Sequence, residues 1–346
     1  MELLGEYGLF LLQTLTVVFA VLFVLAVGTK FSGSDDAKGV IKVTDISKKY
    51  AEQKDYVATE IKAALPGQKK SLLERIKQRF RKRDNPVATD TELEKKLAVI
   101  LEFKGDIKAS QVSALREEVS AILAMDRSPN CVLLKLTSPG GLVNTYGLAS
   151  SQLSRFKDAG IELVACVDTV AASGGYMMAV CADRIISAPF AILGSIGVVA
   201  QIPNINRFLK NRDIDVELHT AGTNKRTLTV LGENTPEGRK KFKEDLTQTH
   251  DLFKAWIAAR RPGLDLDSLA DGSIFYGTDA LEKGLCDQIA TSDDILMQMN
   301  RDHQLISLKW HQKKSLVARV GRDVSAAVSD QIDAFIHRSN QDFTRL

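Results

Sequence analysis

The chain has 346 residues, more than one average domain, and its 45% apolar and 26% charged residues exclude a wholly disordered polypeptide. Its 46 basic and 43 acidic residues leave a formal net charge of +3, a balance that does not point to a nucleic-acid partner. The four cysteines, Cys131, Cys166, Cys181 and Cys286, lie far apart in apolar surroundings without zinc or CxxC spacing, and read as free core thiols.

The first element is the uncharged run from Gly8 to Gly28, GLFLLQTLTVVFAVLFVLAVG. At about 1.5 Å per residue it is long enough to cross a hydrocarbon core of about 30 Å. No basic residue precedes it and no small-residue cleavage site follows closely, so a retained transmembrane anchor over residues 1–29 is favoured over a cleaved signal peptide. Residues 30–92 read as a polar linker, interrupted at Pro66-Gly67 and Asn85-Pro86 and carrying one or two helices. Within it Lys69, Lys70, Arg75, Lys77, Arg79, Arg81, Lys82 and Arg83 surround Leu72, Leu73, Ile76 and Phe80 at helical spacing. That pattern is a basic amphipathic helix, either solvated or lying on anionic lipid headgroups.

From Leu97 onward short apolar runs alternate with helical patterns: LAVILEF, SQVSALREEVSAILAM, CVLLKLT, a helix from Thr145 to about Lys157, then IELVACV. The alternation predicts parallel strands joined by crossover helices, an α/β core over residues 93–295. Further short strands are expected at RIIS and VELH, and a long helix from about Pro236 to Arg260, opened by its proline and ended by Pro262-Gly263. Residues 296–346 read as a helical tail, with Val320, Val324, Ala327, Val328, Ile332 and Phe335 on one apolar stripe for packing or assembly.

Two glycine-bearing turns stand at strand ends, where α/β proteins build their sites. Ser138-Pro139-Gly140-Gly141 follows CVLLKLT, and its paired glycines would let backbone N–H groups face a ligand, although Pro and Gly also make ordinary turns. Ser173, in Ala171-Ala172-Ser173-Gly174-Gly175, opens an apolar helix, a place that a helix cap accounts for as well as catalysis does. His219, His250, His303, His311 and His337 form no triad pattern, and Ser173 lacks the G-x-S-x-G elbow, which disfavours a Ser-His-Asp hydrolase. A lysine can serve as base once burial lowers its pKa from about 10.4. Lys225 ends the turn after VELH, where a solvated charge is the plain alternative.

The stretches SPGG, ASGGYMMA, GSIGV and GSIFYGTDALEKGLCDQI, in this order, resemble the signal peptide peptidase family, and the anchor and polar linker resemble its short SohB-type form. The resemblance spans roughly residues 93–295 closely. It implies a crotonase/ClpP-like superhelix of ββα units and a membrane-bound serine endopeptidase with a Ser-Lys dyad. Carried over by position, Ser173 is the nucleophile, Lys225 the general base, Ser195 the partner that orients the lysine, and Gly140 or Gly141 the oxyanion donor together with the Ser173 N–H. The resemblance implies no metal or cofactor, a homo-oligomer in which the dyad forms within or between chains, and membrane-associated substrates such as cleaved signal peptides.

Two other readings compete. A crotonase-like acyl-CoA enzyme would need a CoA surface that the sequence does not reveal, and a catalytically silent scaffold would bind membrane-protein segments. The side of the membrane is set by opposing signals. Lys30, Lys38, Lys42 and Lys48 follow the anchor and no basic residue precedes it, which places the large domain in the cytoplasm, whereas the resemblance favours the periplasmic face of a bacterial inner membrane. The periplasmic face is the expectation taken.

Overall fold

The structure is a computed structural model that describes residues 15–16, 39–64, 95–222 and 224–312. The anchor, apart from Leu15 and Thr16, the basic helix and the apolar stripe of the tail lie outside the described residues. Among the described residues, no helix is long and apolar enough to cross a membrane.

The main unit, Lys42–Lys309, is built on a parallel sheet. Its elements in chain order begin with β1 (Gly39–Asp45), α1 (Ile46–Ala64), β2 (Lys96–Lys104), α2 (Val112–Leu123), β3 (Cys131–Thr137), α3 (Val143–Asp158) and β4 (Glu162–Val167). There follow β5 (Val170–Ala172), α4 (Gly174–Ala179), β6 (Arg184–Ser187), β7 (Ile192–Gly194), α5 (Asn206–Lys210), α6 (Pro236–Ala258) and α7 (Leu266–Leu269). The last are β8 (Ile274–Tyr276), α8 (Gly277–Glu282), β9 (Gln288–Ile289), α9 (Ser292–Met299) and β10 (His303–Gln312). The large sheet has the order β1-β10-β2-β3-β4-β6-β9, and a second sheet has the order β5-β7-β8.

From β10 through β9 the neighbouring strands pair in parallel, as the alternation of strand and helix predicts. Both faces are covered, so the strands read as apolar runs rather than as alternating sequences. One face gathers Ile100, Leu133, Val164, Cys166 and Ile186 against Ile295 and Leu296 of α9, with Ile46 and Tyr50 of α1 packed beside them. Val99, Leu101, Val132, Leu134 and Ala165, which point the other way by the period of two, are also fully buried. The four cysteines are free and buried, as expected.

Two expectations are corrected. Val216 to His219 forms no strand and is exposed, because a strand needs a partner and none pairs with it. The tail predicted as helical from residue 296 instead turns after α9 into β10, whose His303–Ser307 pairs with Lys96–Ile100 of β2. Leu305 and Leu308 of β10 are buried, and tertiary pairing decides a segment whose propensity is mixed. The residues Gly39–Ile41 and Trp310–Gln312 belong to a second unit, in which any side chain at Gly39 would collide with the Trp310 indole.

The long helix α6 has two characters. Thr235 caps it by accepting the Gly238 N–H at 3.0 Å and Pro236 opens it. Near its other end Phe253 and Ile257 are buried, and Trp256 Nε1 donates to the Met177 carbonyl of α4 at 3.2 Å. Before it, residues 199–231 run as a mostly irregular arm with Val199 90% and Phe208 60% exposed.

Candidate active site

The four sequence stretches singled out above meet at the carboxyl ends of β3, β5 and β7 and the start of β8. Ser138 pairs with β5: its N–H donates to Val170 O at 2.8 Å, and the Ala172 N–H donates to Ser138 O at 3.0 Å. The Ser173 N–H donates to Gly194 O at 2.8 Å, and the Ser195 N–H donates to Ser273 O at 2.7 Å. The turns SPGG, ASGG, GSIG and GSIF are thus stitched edge to edge by backbone hydrogen bonds. Lost pairing at any seam would strand a buried polar group, which typically costs about 1–3 kcal/mol.

Ser173 sits on the bend between β5 and α4 with φ 53° and ψ −119°, and Ser195 has φ 49°. Both are strained for an L residue, and such strain gathers where surrounding structure over-determines the backbone, often at functional sites. The G-x-S-x-G pattern is missing, but the strand-to-helix bend it serves is present, and it presents a half-buried serine.

The glycines define the space in front of it. Gly140 has φ +89°, and a Cβ there would stand 2.7 Å from Ser173 Cβ and 2.8 Å from Gly174 N. Only glycine permits both the backbone and the approach. The Gly140 N–H is used internally, donating to Ser138 Oγ at 3.1 Å. The Ser173 N–H, expected among the oxyanion donors, is likewise committed to Gly194 and is removed from that role. Among the described residues, the N–H groups of Gly141 and Gly174 have no acceptor; Gly174 follows Ser173 in the chain, and Gly141 follows the glycine that packs against Ser173. A side chain at Gly141 would strike Ile107 O, which fixes where that turn lies.

Two residues that sequence reasoning did not assign are built into this junction. Tyr146 of α3 is fully buried, with its hydroxyl 2.6 Å from Ser138 Oγ and donating to Asp106 O at 2.8 Å. Ser138 is also fully buried. Burial, with the Asp106 carboxylate adding to it, pushes the Tyr146 phenol above its ordinary pKa, so the hydroxyl remains a donor. In sequence Tyr146 is an aromatic in a helix, indistinguishable from core packing, and only the paired Ser138 in SPGG hinted at a polar role.

Among the described residues Lys225 has no hydrogen bond to Ser173 or Ser195. It lies exposed on the arm, its N–H donating to Gly222 O at 3.1 Å, and its ammonium makes no hydrogen bond or ion pair among the described residues. Ser195, in contrast, is one residue from the carbonyl that receives the Ser173 N–H. Among the described residues there is no group of three or more His, Cys, Asp or Glu side chains arranged to hold a metal.

Comparison with known proteins gives a consistent result over the whole chain. The family model described as Peptidase family S49 matches residues 155–306, and its N-terminal companion matches residues 2–153. The chain is similar to a protein named "Probable protease SohB" from Haemophilus influenzae, 43% identical over 99% of both chains. A protein of the same name from Buchnera aphidicola subsp. Acyrthosiphon pisum is 51% identical over 69% of this chain and 71% of its own. "Protease 4" of Salmonella typhi is more distant, 27% identical over 60% of this chain and 32% of its own.

Proposed function

The chain belongs to peptidase family S49, and from that premise we propose that it cleaves peptide bonds with Ser173 as nucleophile and Lys225 as general base. The observation that carries this reading is the strained Ser173 bend, packed against Gly140 and followed by a Gly174 N–H that has no acceptor among the described residues. Ser173 Oγ attacks the scissile carbonyl while the Lys225 amine accepts its proton. The oxyanion forms between the Gly141 and Gly174 N–H groups, and the same proton then passes to the leaving amine. Water, deprotonated by Lys225, hydrolyses the acyl-enzyme and frees Ser173. Ser195 supplies the hydroxyl that orients the lysine.

A general-base lysine needs a site shielded from water, and the arm that carries Lys225 is exposed. The proposal therefore includes assembly: a second copy of this chain covers the arm, and the dyad forms between protomers. Val199, Phe208, Val216 and Leu218 support it, because such exposed apolar side chains along one arm suit burial against a partner. Within this reading the repeated order of large-sheet strand, short strand and helix is the ββα superhelix, and the uncharged run Gly8 to Gly28 is a membrane anchor beside periplasmic substrates such as spent signal peptides. Retention in the membrane fraction after alkaline carbonate washing tests the anchor; release removes it.

The central test is a peptidase assay with purified full-length protein, using a fluorogenic peptide with small apolar residues at the cleavage point. A fluorophosphonate probe read at Ser173 accompanies it. Ser173→Ala should abolish both signals while the oligomer and the thermal transition persist. Turnover that survives the substitution would assign the reaction elsewhere.

A further inference from the structure

We propose that Tyr146 and Ser138 are positioning residues that hold the Gly140-Gly141 turn against the Ser173 bend, a role that rests on the peptidase reading above. A phenol has one proton, and that of Tyr146 goes to Asp106 O at 2.8 Å. The 2.6 Å contact with Ser138 therefore runs from Ser138 Oγ–H to Tyr146 Oη. Ser138 Oγ has its own acceptor capacity left, and it receives the Gly140 N–H at 3.1 Å. The result is a directed chain: Gly140 N–H to Ser138 Oγ, Ser138 Oγ–H to Tyr146 Oη, Tyr146 Oη–H to Asp106 O. Each member has its donor spent and the turn has one polarity available to it.

The same tyrosine reaches the other side of the site. A Cβ on Gly174 would stand 2.5 Å from Tyr146 Cγ, so the ring lies directly against the backbone that carries the second unclaimed N–H. Gly105 makes room for the hydroxyl end, since a Cβ there would stand 2.3 Å from Tyr146 Oη and 2.4 Å from Ser138 Oγ. One buried side chain thus contacts both strands of the oxyanion site. It fixes the Gly140 N–H, one peptide before the Gly141 N–H, through a hydrogen-bond chain, and it bears on the Gly174 backbone through packing. Transition-state stabilisation needs donors aimed at the developing charge rather than at the bound carbonyl, so loosening this chain lowers kcat and leaves KM largely in place.

The test compares full-length wild type with Tyr146→Phe, Ser138→Ala and the double variant, reading kcat, KM, fluorophosphonate labelling rate and thermal transition. The expected result is a fall in kcat and labelling of about ten- to a hundred-fold in each single variant, less than the 10²–10³ lost with a whole oxyanion donor. KM should hold within about twofold, and the double variant should fall no further than the worse single one, as members of one chain do. A folded Tyr146→Phe or Ser138→Ala with kcat within twofold of wild type overturns the positioning role. Unfolding of both variants also overturns it, because the hydroxyls would then hold the fold rather than the site. Ser173→Ala in the same assay separates the two readings. If it keeps turnover the peptidase reading fails, and if it is inactive while Tyr146→Phe is normal only the positioning role fails.

Discussion

Ser173 occupies a backbone conformation that costs an L residue about 1–3 kcal/mol and that glycine accepts freely. Ser173→Gly and Ser173→Ala both remove the hydroxyl, but only the first relieves the bend. Ser173→Gly is therefore expected to be the more stable of the two by about 1–2 kcal/mol in chemical denaturation, with both inactive. Equal stabilities would show that the bend is unstrained. The cysteines allow a second residue-scale prediction. Burial, reinforced by Glu162 and Asp168 respectively, pushes the Cys131 and Cys166 thiols up to about 12, and burial pushes Cys286 up to about 11. Raised values keep the reactive thiolate scarce at any lower pH. Iodoacetamide at pH 8 should leave the native protein unlabelled and modify all four cysteines in denaturant. Rapid native labelling at any of them would contradict the buried positions.

At the scale of elements, α9 is held from outside itself. Thr291 and Asp294 form a capping box at its start, and the Asp168 carboxylate beyond β4 accepts the Ser292 N–H at 2.7 Å and the Ser292 hydroxyl at 2.6 Å. Hydrogen bonds to a charged group contribute about 1.5–3 kcal/mol each, and Ser292 is fully buried. Asp168→Ala is expected to lower stability by about 2–4 kcal/mol in a urea titration; a loss under about 0.5 kcal/mol would show that water replaces the carboxylate. Such long-range caps were not legible in the sequence, because Asp168 and Ser292 are far apart in the chain. The parallel strands were, since a strand buried on both faces announces itself as a run such as CVLLKLT. That the SPGG and ASGG turns belong together was legible through the order of the motifs, whereas the sharing of donors among them was not. Residue types do not say which N–H is already spent, and that alone moved the expected oxyanion donor from Ser173 to Gly174. Val216 to His219 failed for the opposite reason: its composition suits a strand, but no edge receives it.

At the scale of the whole molecule, the proposed nucleophile stands at a strand-to-helix bend and the proposed base on an exposed arm, with no hydrogen bond between them among the described residues. Mixing Ser173→Ala with Lys225→Ala protomers, each inactive alone, should restore part of the activity if the dyad forms between chains. A mixture that stays silent despite verified co-assembly would place the dyad within one chain. Lys225→Arg should be inactive in either case, because a guanidinium stays protonated and cannot accept the Ser173 proton. The exposed arm gives the enzyme a property that its chemistry alone does not. A protomer without neighbours would be latent, its serine intact and its base in water, so specific activity should fall on dilution and return on concentration. Newly made chains would then remain harmless to the proteins around them until enough copies have gathered.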